Sequence, residues 1–301
     1  MPAAPTSSPF VRRIDAHQHF WRYGAAGYGW IDPGTMAPLT RDFLPDDLQP
    51  LLAASRFDAS IAVQARQSLD ETRDLLQMAD ACSFIAGVVG WVDLQADDVN
   101  AQLERWAPHP KLVGVRHVVQ DEPDDRFLLN PAFCRGVSLL HGFDLTYDLL
   151  LHTRHLAVAS DFVAKFPAQR FVLDHLAKPE IRRGAIDEWA RDLKRLAAHP
   201  HVMAKLSGLI TEADWQQWNA DDIRPYLDVA FECFGPDRLM IGSDWPVCIL
   251  AGDYHRTLAV VTDYLETWPD AARDAVMGGT AAAFWRLQIA AGSNTDERND
   301  R

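Results

Sequence analysis

Four cysteines in 301 residues, none of them in a Cys-x-x-Cys pair, exclude a disulfide framework and a thiolate zinc site. No stretch approaches the ~18 continuous apolar residues of a membrane span. The opening segment, residues 1–13, lacks the apolar core of a signal peptide, so a cytoplasmic protein is expected. Positive charge is also scarce: 29 Lys and Arg against 42 Asp and Glu leave a formal charge of −13. Nucleic acid and anionic membranes, which call for clustered basic residues, are therefore not expected partners. No Gly-x-Gly-x-x-Gly follows the first apolar run, which speaks against a dinucleotide fold. Internal repeats and linkers are absent too.

What is present is an alternation. Short β-branched or apolar runs fall at 13–16, 59–64, 85–92, 112–117, 144–149, 170–173, 202–206 and 238–242. Segments of helical period separate them, at 69–82, 99–106, 131–141, 156–166, 186–198, 222–234 and 254–268. Asn130-Pro131 and Asp221-Asp222 read as helix starts, and Gly235-Pro236 as a helix stop. Eight strand–helix units predict a parallel sheet closed into a (β/α)₈ barrel, spanning 12–289 as one domain. Residues 1–11 are expected to be an N-terminal extension, and 290–301 a polar, frayed tail.

In such a barrel catalytic groups gather where strands end. The first strand ends in Asp15-Ala16-His17-Gln18-His19, and two-residue periodicity sets His17 and His19 on one face. Arg116 closes the fourth strand, either as a cationic fork for a carbonyl or carboxylate or as a rim salt bridge. Tyr147 on the fifth is a substrate donor or a packing residue. His175 follows the sixth strand and shares parity with Phe171 and Leu173, which predicts an inward direction. Lys205 interrupts an apolar seventh strand, where an unpaired ammonium is costly. Asp244 closes the eighth and is the foremost catalytic candidate. Trp21, Trp30 and Trp245, among ten tryptophans, either pack the barrel mouth or stack on a sugar.

His-x-His on the first strand with Asp on the eighth resembles the amidohydrolase superfamily. The runs 15–21, 84–93, 111–117, 172–179, 205–209 and 239–247 resemble its sugar-lactonase branch, which includes proteins like L-fuconolactonase and L-rhamnonolactonase. The resemblance covers residues 12 to 288. It implies a distorted barrel and attack of water on a lactone carbonyl. Asp244 would be the general base, with His17, His19, Arg116 and His175 holding or polarising the oxygens. Tyr147, Lys205, Trp30 and Trp245 are the expected substrate contacts.

A two-metal site would need a lysine on the fourth strand and a histidine on the fifth. This chain has Arg116 there, and Tyr147 with Asp148. One zinc would fit His17, His19, His175 and Asp244, but Arg116 and Lys205 would repel it. No obligatory metal is therefore expected. The expected ligand is a small sugar lactone and the expected state a monomer or homodimer. A metal-dependent decarboxylase of an unsaturated acid is the rival enzyme, a muconolactone or pyrone hydrolase a nearer alternative, and a non-catalytic binding barrel the bland one.

Overall fold

Short apolar strands that bury both faces become a stable sheet only when something covers each face, and here the sheet closes on itself. The computed structural model describes residues 13–24 and 26–287; the expected extension at 1–11 and tail at 290–301 lie outside them. Eight parallel strands run in chain order: β1 Ile14–Gln18, β2 Ala59–Val63, β3 Ile85–Gly90, β4 Leu112–His117, β5 Thr146–Leu149, β6 Phe171–Leu173, β7 Val202–Leu206 and β8 Leu239–Ile241. The chain is a (β/α)₈ barrel.

Every expected strand is present; β4 and β7 keep the expected ends and the others are displaced. β1 extends to Gln18 and so includes His17, whereas β6 and β8 shrink to three residues each. Ladder pairing between β1 and β8 is reduced to one bridge, Gln18 to Trp245, plus Asp244 N–H to His17 O at 2.8 Å and His19 N–H to Trp245 O at 2.7 Å. Asp15 reinforces this seam. Its carboxylate accepts from Ser243 N (2.8 Å), Ser243 Oγ (2.6 Å) and Tyr254 Oη (3.0 Å). The same three donors offset only part of the cost of burial, which pushes Asp15 up to about 6.

Helices cover the outside: α1 Pro45–Ala54, α2 Leu69–Ala81, α3 Val99–Trp106, α4 Pro131–Leu140, α5 Leu156–Val163, α6 Asp187–Ala197, α7 Ala220–Phe234 and α8 Tyr254–Tyr264, followed by the short α9 Asp270–Asp274 and α10 Thr280–Phe284. Asn130 caps α4 by accepting from Ala132 N at 2.8 Å. For α7 the cap is Asn219, boxed with Asp222, rather than the expected Asp221. Helix α1 was not expected, because Pro50 interrupts its pattern. No helix among the described residues is long and apolar enough to cross a membrane.

Two apolar layers result. One lies between strands and helices; the other fills the barrel's lower interior with Ile14, Ile61, Val89, Val113, Val172 and Met240, closed by Phe284 and Trp285. Apolar filling stops halfway up. Above it the inward residues are charged.

Candidate active site

The floor of the site is an ionic layer at four neighbouring strands, β4 to β7. Lys205, wholly buried in β7 and 5.3 Å above the Trp285 ring, meets Asp148 Oδ2 of β5 at 2.5 Å and Asp174 Oδ1 at 2.9 Å. Arg116 of β4 donates from Nη1 to Asp174 Oδ2 at 2.9 Å, and from Nη2 to the carbonyl of Gln64. Two cations thus face two carboxylates, the condition for burying such groups without a large net charge. Burial raises the Asp174 carboxyl, but Lys205, His17 and Arg116 outweigh it and hold it well below the usual range. Burial dominates at Asp148, which rises to about 7 despite Lys205, with Asp174 adding to the rise.

His17 rests on this floor. Its Nδ1 faces Asp174 Oδ1 at 3.3 Å and Lys205 Nζ at 3.2 Å, and its Nε2 points up toward Arg116 Nη1 at 3.3 Å and His19 Nε2 at 3.2 Å. His19 Nδ1 lies 2.8 Å from the Val63 carbonyl, an acceptor only, so that nitrogen carries the proton. His175 Nδ1 lies 2.9 Å from Ser207 Oγ. All three imidazoles are therefore engaged at Nδ1 and turn Nε2 toward Asp244 Oδ1, at 3.2 Å from His19, 3.7 Å from His17 and 3.8 Å from His175.

Burial raises the Asp244 carboxyl, yet His175, His19 and His17 together outweigh it and hold it well below the carboxylate range. Burial lowers His17 far below its ordinary value, and His175 to about 4 against the pull of Asp244 and Asp174. At neutral pH the centre is then an ionised Asp244 carboxylate with neutral His17 and His175 imidazoles beside it.

The backbone is forced into unusual shapes to achieve this. Asp244 has φ 55°, and His175, Leu176, Ala177 and Lys178 have φ of 53°, 50°, 59° and 51°. A run of non-glycine residues in the left-handed region is expensive and collects at functional sites. Gly208, at φ 64°, is required by closeness: a Cβ there would sit 2.6 Å from His175 Nδ1.

Above the centre opens a cavity of about 420 Å³, lined by His19, His175, Arg116 and Asp244 together with Trp30, Gln67, Gln120, Glu122 and Lys178. Trp30 is half-exposed and fixed by Nε1 donating to the Ala65 carbonyl at 2.9 Å. His17, His19, Arg116, His175 and Asp244 converge as expected.

Three expected substrate contacts are not at the cavity. Tyr147 is fully buried on the helix side of β5, 5.8 Å from Phe133 and 6.2 Å from Phe171 between ring centroids. Strand alternation turns its neighbour Asp148 inward instead. Trp245 is buried against Phe43 at 5.3 Å. Lys205 lies beneath the imidazoles, out of substrate's reach. The inward prediction for His175 reached the right residue by the wrong parity: Phe171 and Leu173 face the helices, Val172 and Asp174 face the interior, and the left-handed turn after β6 brings His175 back.

Asp174, Ser207, Gln67 and Glu122 were not anticipated. The signal for Asp174 was Lys205 itself, since a lysine inside a barrel strand requires an anion on an adjacent strand.

Donors for a metal are present. One ligand atom each from His17, His175 and Asp244 lies within 4.8 Å of the other two. The Nδ1 partner of His175 turns its Nε2 to the centre, the usual support of a metal-bound histidine, while His17 Nε2 also faces Arg116 Nη1 at 3.3 Å. A single divalent ion fits this set.

The chain matches known proteins over nearly its whole length. A family model described as amidohydrolase matches residues 14–287. The chain is 47% identical over 286 residues to the L-fucono-1,5-lactonase of Burkholderia multivorans, covering 91% of this chain and 96% of that one. It is 41% identical over 285 residues to the L-fucono-1,5-lactonase of Burkholderia ambifaria, covering 93% and 97%. A crystal structure of an amidohydrolase from Burkholderia multivorans with bound zinc superposes with a TM-score of 0.88 at 46% identity, covering 92% of this chain and 99% of that one.

Proposed function

This chain belongs to the amidohydrolase family, and within it we propose that it opens the lactone of a sugar acid, of the L-fucono-lactone kind, to the free acid. Asp244 carries the reading. It is a buried carboxylate kept ionised in the wall of a cavity, with an imidazole at 3.2 Å. A base so placed takes a proton from water. Water attacks the carbonyl carbon, the π electrons move to the carbonyl oxygen, and a negative charge develops there.

Arg116 lines the same cavity and is locked by Asp174 at 2.9 Å. A fixed donor of this kind stabilises the oxyanion more than the neutral carbonyl. When the carbonyl re-forms, the ring C–O bond breaks and the ring oxygen takes up the proton that Asp244 gained. The high identity to two lactonases over nearly the whole chain supports this substrate class.

A divalent ion held by His17, His175 and Asp244 would supply Lewis-acid polarisation and a more acidic water. We propose that turnover does not require it, because Arg116 already directs positive charge onto the His17 Nε2 lone pair at 3.3 Å.

The test is a panel of aldonolactones followed by acid release in weakly buffered solution, with and without chelator. Acid release that survives chelation is expected. No acid from any lactone, with loss of CO₂ from an unsaturated acid, would replace the reading. Loss with chelator and recovery with zinc would overturn the metal-free form alone.

A further inference from the structure

The base and the imidazoles occupy the ends of β1, β6 and β8, whereas the facing part of the cavity wall, beyond Arg116, comes from the loops after β2 and β4. In an eight-stranded barrel β4 stands across from β8, and β2 across from β6. Three polar side chains on that wall take no part in the chemistry above.

Glu122 follows β4. Its Oε1 accepts from His117 Nε2 at 2.7 Å, and His117 is itself clamped by stacking on Phe127, centroids 4.9 Å apart at 12°. Its Oε2 has no protein donor among the described residues. Gln120, two residues earlier, is pinned through its backbone, N–H to the Leu150 carbonyl at 3.1 Å. Its side-chain Oε1 is nevertheless buried without a partner. Gln67 follows β2 and accepts from Val118 N at 2.8 Å, which orients its amide and leaves its NH₂ to donate.

All three line the cavity. Glu122 is a quarter exposed, so its second carboxylate oxygen meets solvent and can accept from a ligand, whereas Gln120 Oε1 is closed off from solvent and its amide must turn to reach one. A carboxylate oxygen and an amide oxygen both ask for donors, which a phosphate or carboxylate ligand lacks. A cationic ligand would meet Arg66, Arg116 and Lys178 on the same walls. Hydroxyl groups, which donate and accept, satisfy all three side chains.

We infer that Glu122, Gln120 and Gln67 form the subsite that reads the ring hydroxyls of the lactone, and so set selectivity for a polyhydroxylated over a bare lactone. The inference rests on the lactonase reading and names the part of the site that recognises the sugar.

The experiment compares kcat/KM for L-fucono-1,5-lactone and for δ-valerolactone, which has the ester but no hydroxyls, in the wild type, Glu122→Gln, Gln120→Leu and Gln67→Leu. The wild type should strongly prefer the sugar lactone. Glu122→Gln should lower that preference by roughly tenfold or more, and each glutamine variant by a few-fold, as expected for charged and neutral hydrogen bonds. The change should fall mainly on KM for the sugar lactone. Equal losses for both lactones in all three variants would mark a structural role and overturn the inference, as would an unchanged preference. A wild type that opens neither lactone would overturn the lactonase reading and the inference with it.

Discussion

Replacing Lys205 by Met keeps most of the side-chain volume and removes the charge from the floor of the barrel. Asp174 would retain Arg116 at 2.9 Å, but Asp148 would lose the Lys205 ammonium at 2.5 Å, with both carboxylates fully buried. Removing one partner of a buried pair costs about 3–5 kcal/mol, because the other is left uncompensated. Asp148 limits the loss by taking up a proton, which its position already favours at about 7.

The pH dependence follows from that proton. A carboxyl whose pKa is raised in the folded state binds a proton on folding, so stability falls as pH rises between the unfolded and folded values. In the wild type this decline ends near 7. In Lys205→Met the folded value moves higher, and stability should keep falling at up to about 1.4 kcal/mol per pH unit above neutrality. Urea unfolding followed by circular dichroism at pH 6, 7.5 and 9 measures the gap. It should widen with pH, and Asp148→Asn added to Lys205→Met should close most of it. A variant within about 1 kcal/mol of wild type at pH 7.5, or a double variant no better than the single, would refute the ionic-floor argument.

Two further outcomes follow. Asp244→Asn preserves shape and removes the base, so kcat should fall roughly 10²-fold or more with the fold intact; near-normal turnover would remove Asp244 from the role. His175 is neutral in the fold down to about 4 against an ordinary 6.5. Its contribution is therefore complete above pH 6.5 and lost as pH falls toward 4, a loss of about 2.4 kcal/mol between pH 7 and 4.5 that His175→Gln should abolish in unfolding curves at those two values.

What the chain order of residues decides by itself is the alternation: eight apolar runs too short for helices, spaced by helical segments, permit little besides a closed parallel sheet. It also decides which chemistry is available, because His17, His19, Arg116, His175 and Asp244 all stand at strand ends, where a barrel opens. Direction was less legible. Tyr147 and Asp148 are adjacent and both plausible, and only the register of β5 against β4 and β6 turns Asp148 inward and Tyr147 into the helix layer. His175 enters the site through a left-handed turn that no periodicity announces. The ionic floor is wholly tertiary: Lys205, Asp148 and Asp174 are separated by up to 57 residues in the chain, and a lysine's need for an anion does not say which one. Residue type sets what a group can do in water or in hydrocarbon; the neighbours that tertiary packing supplies set its charge and its direction.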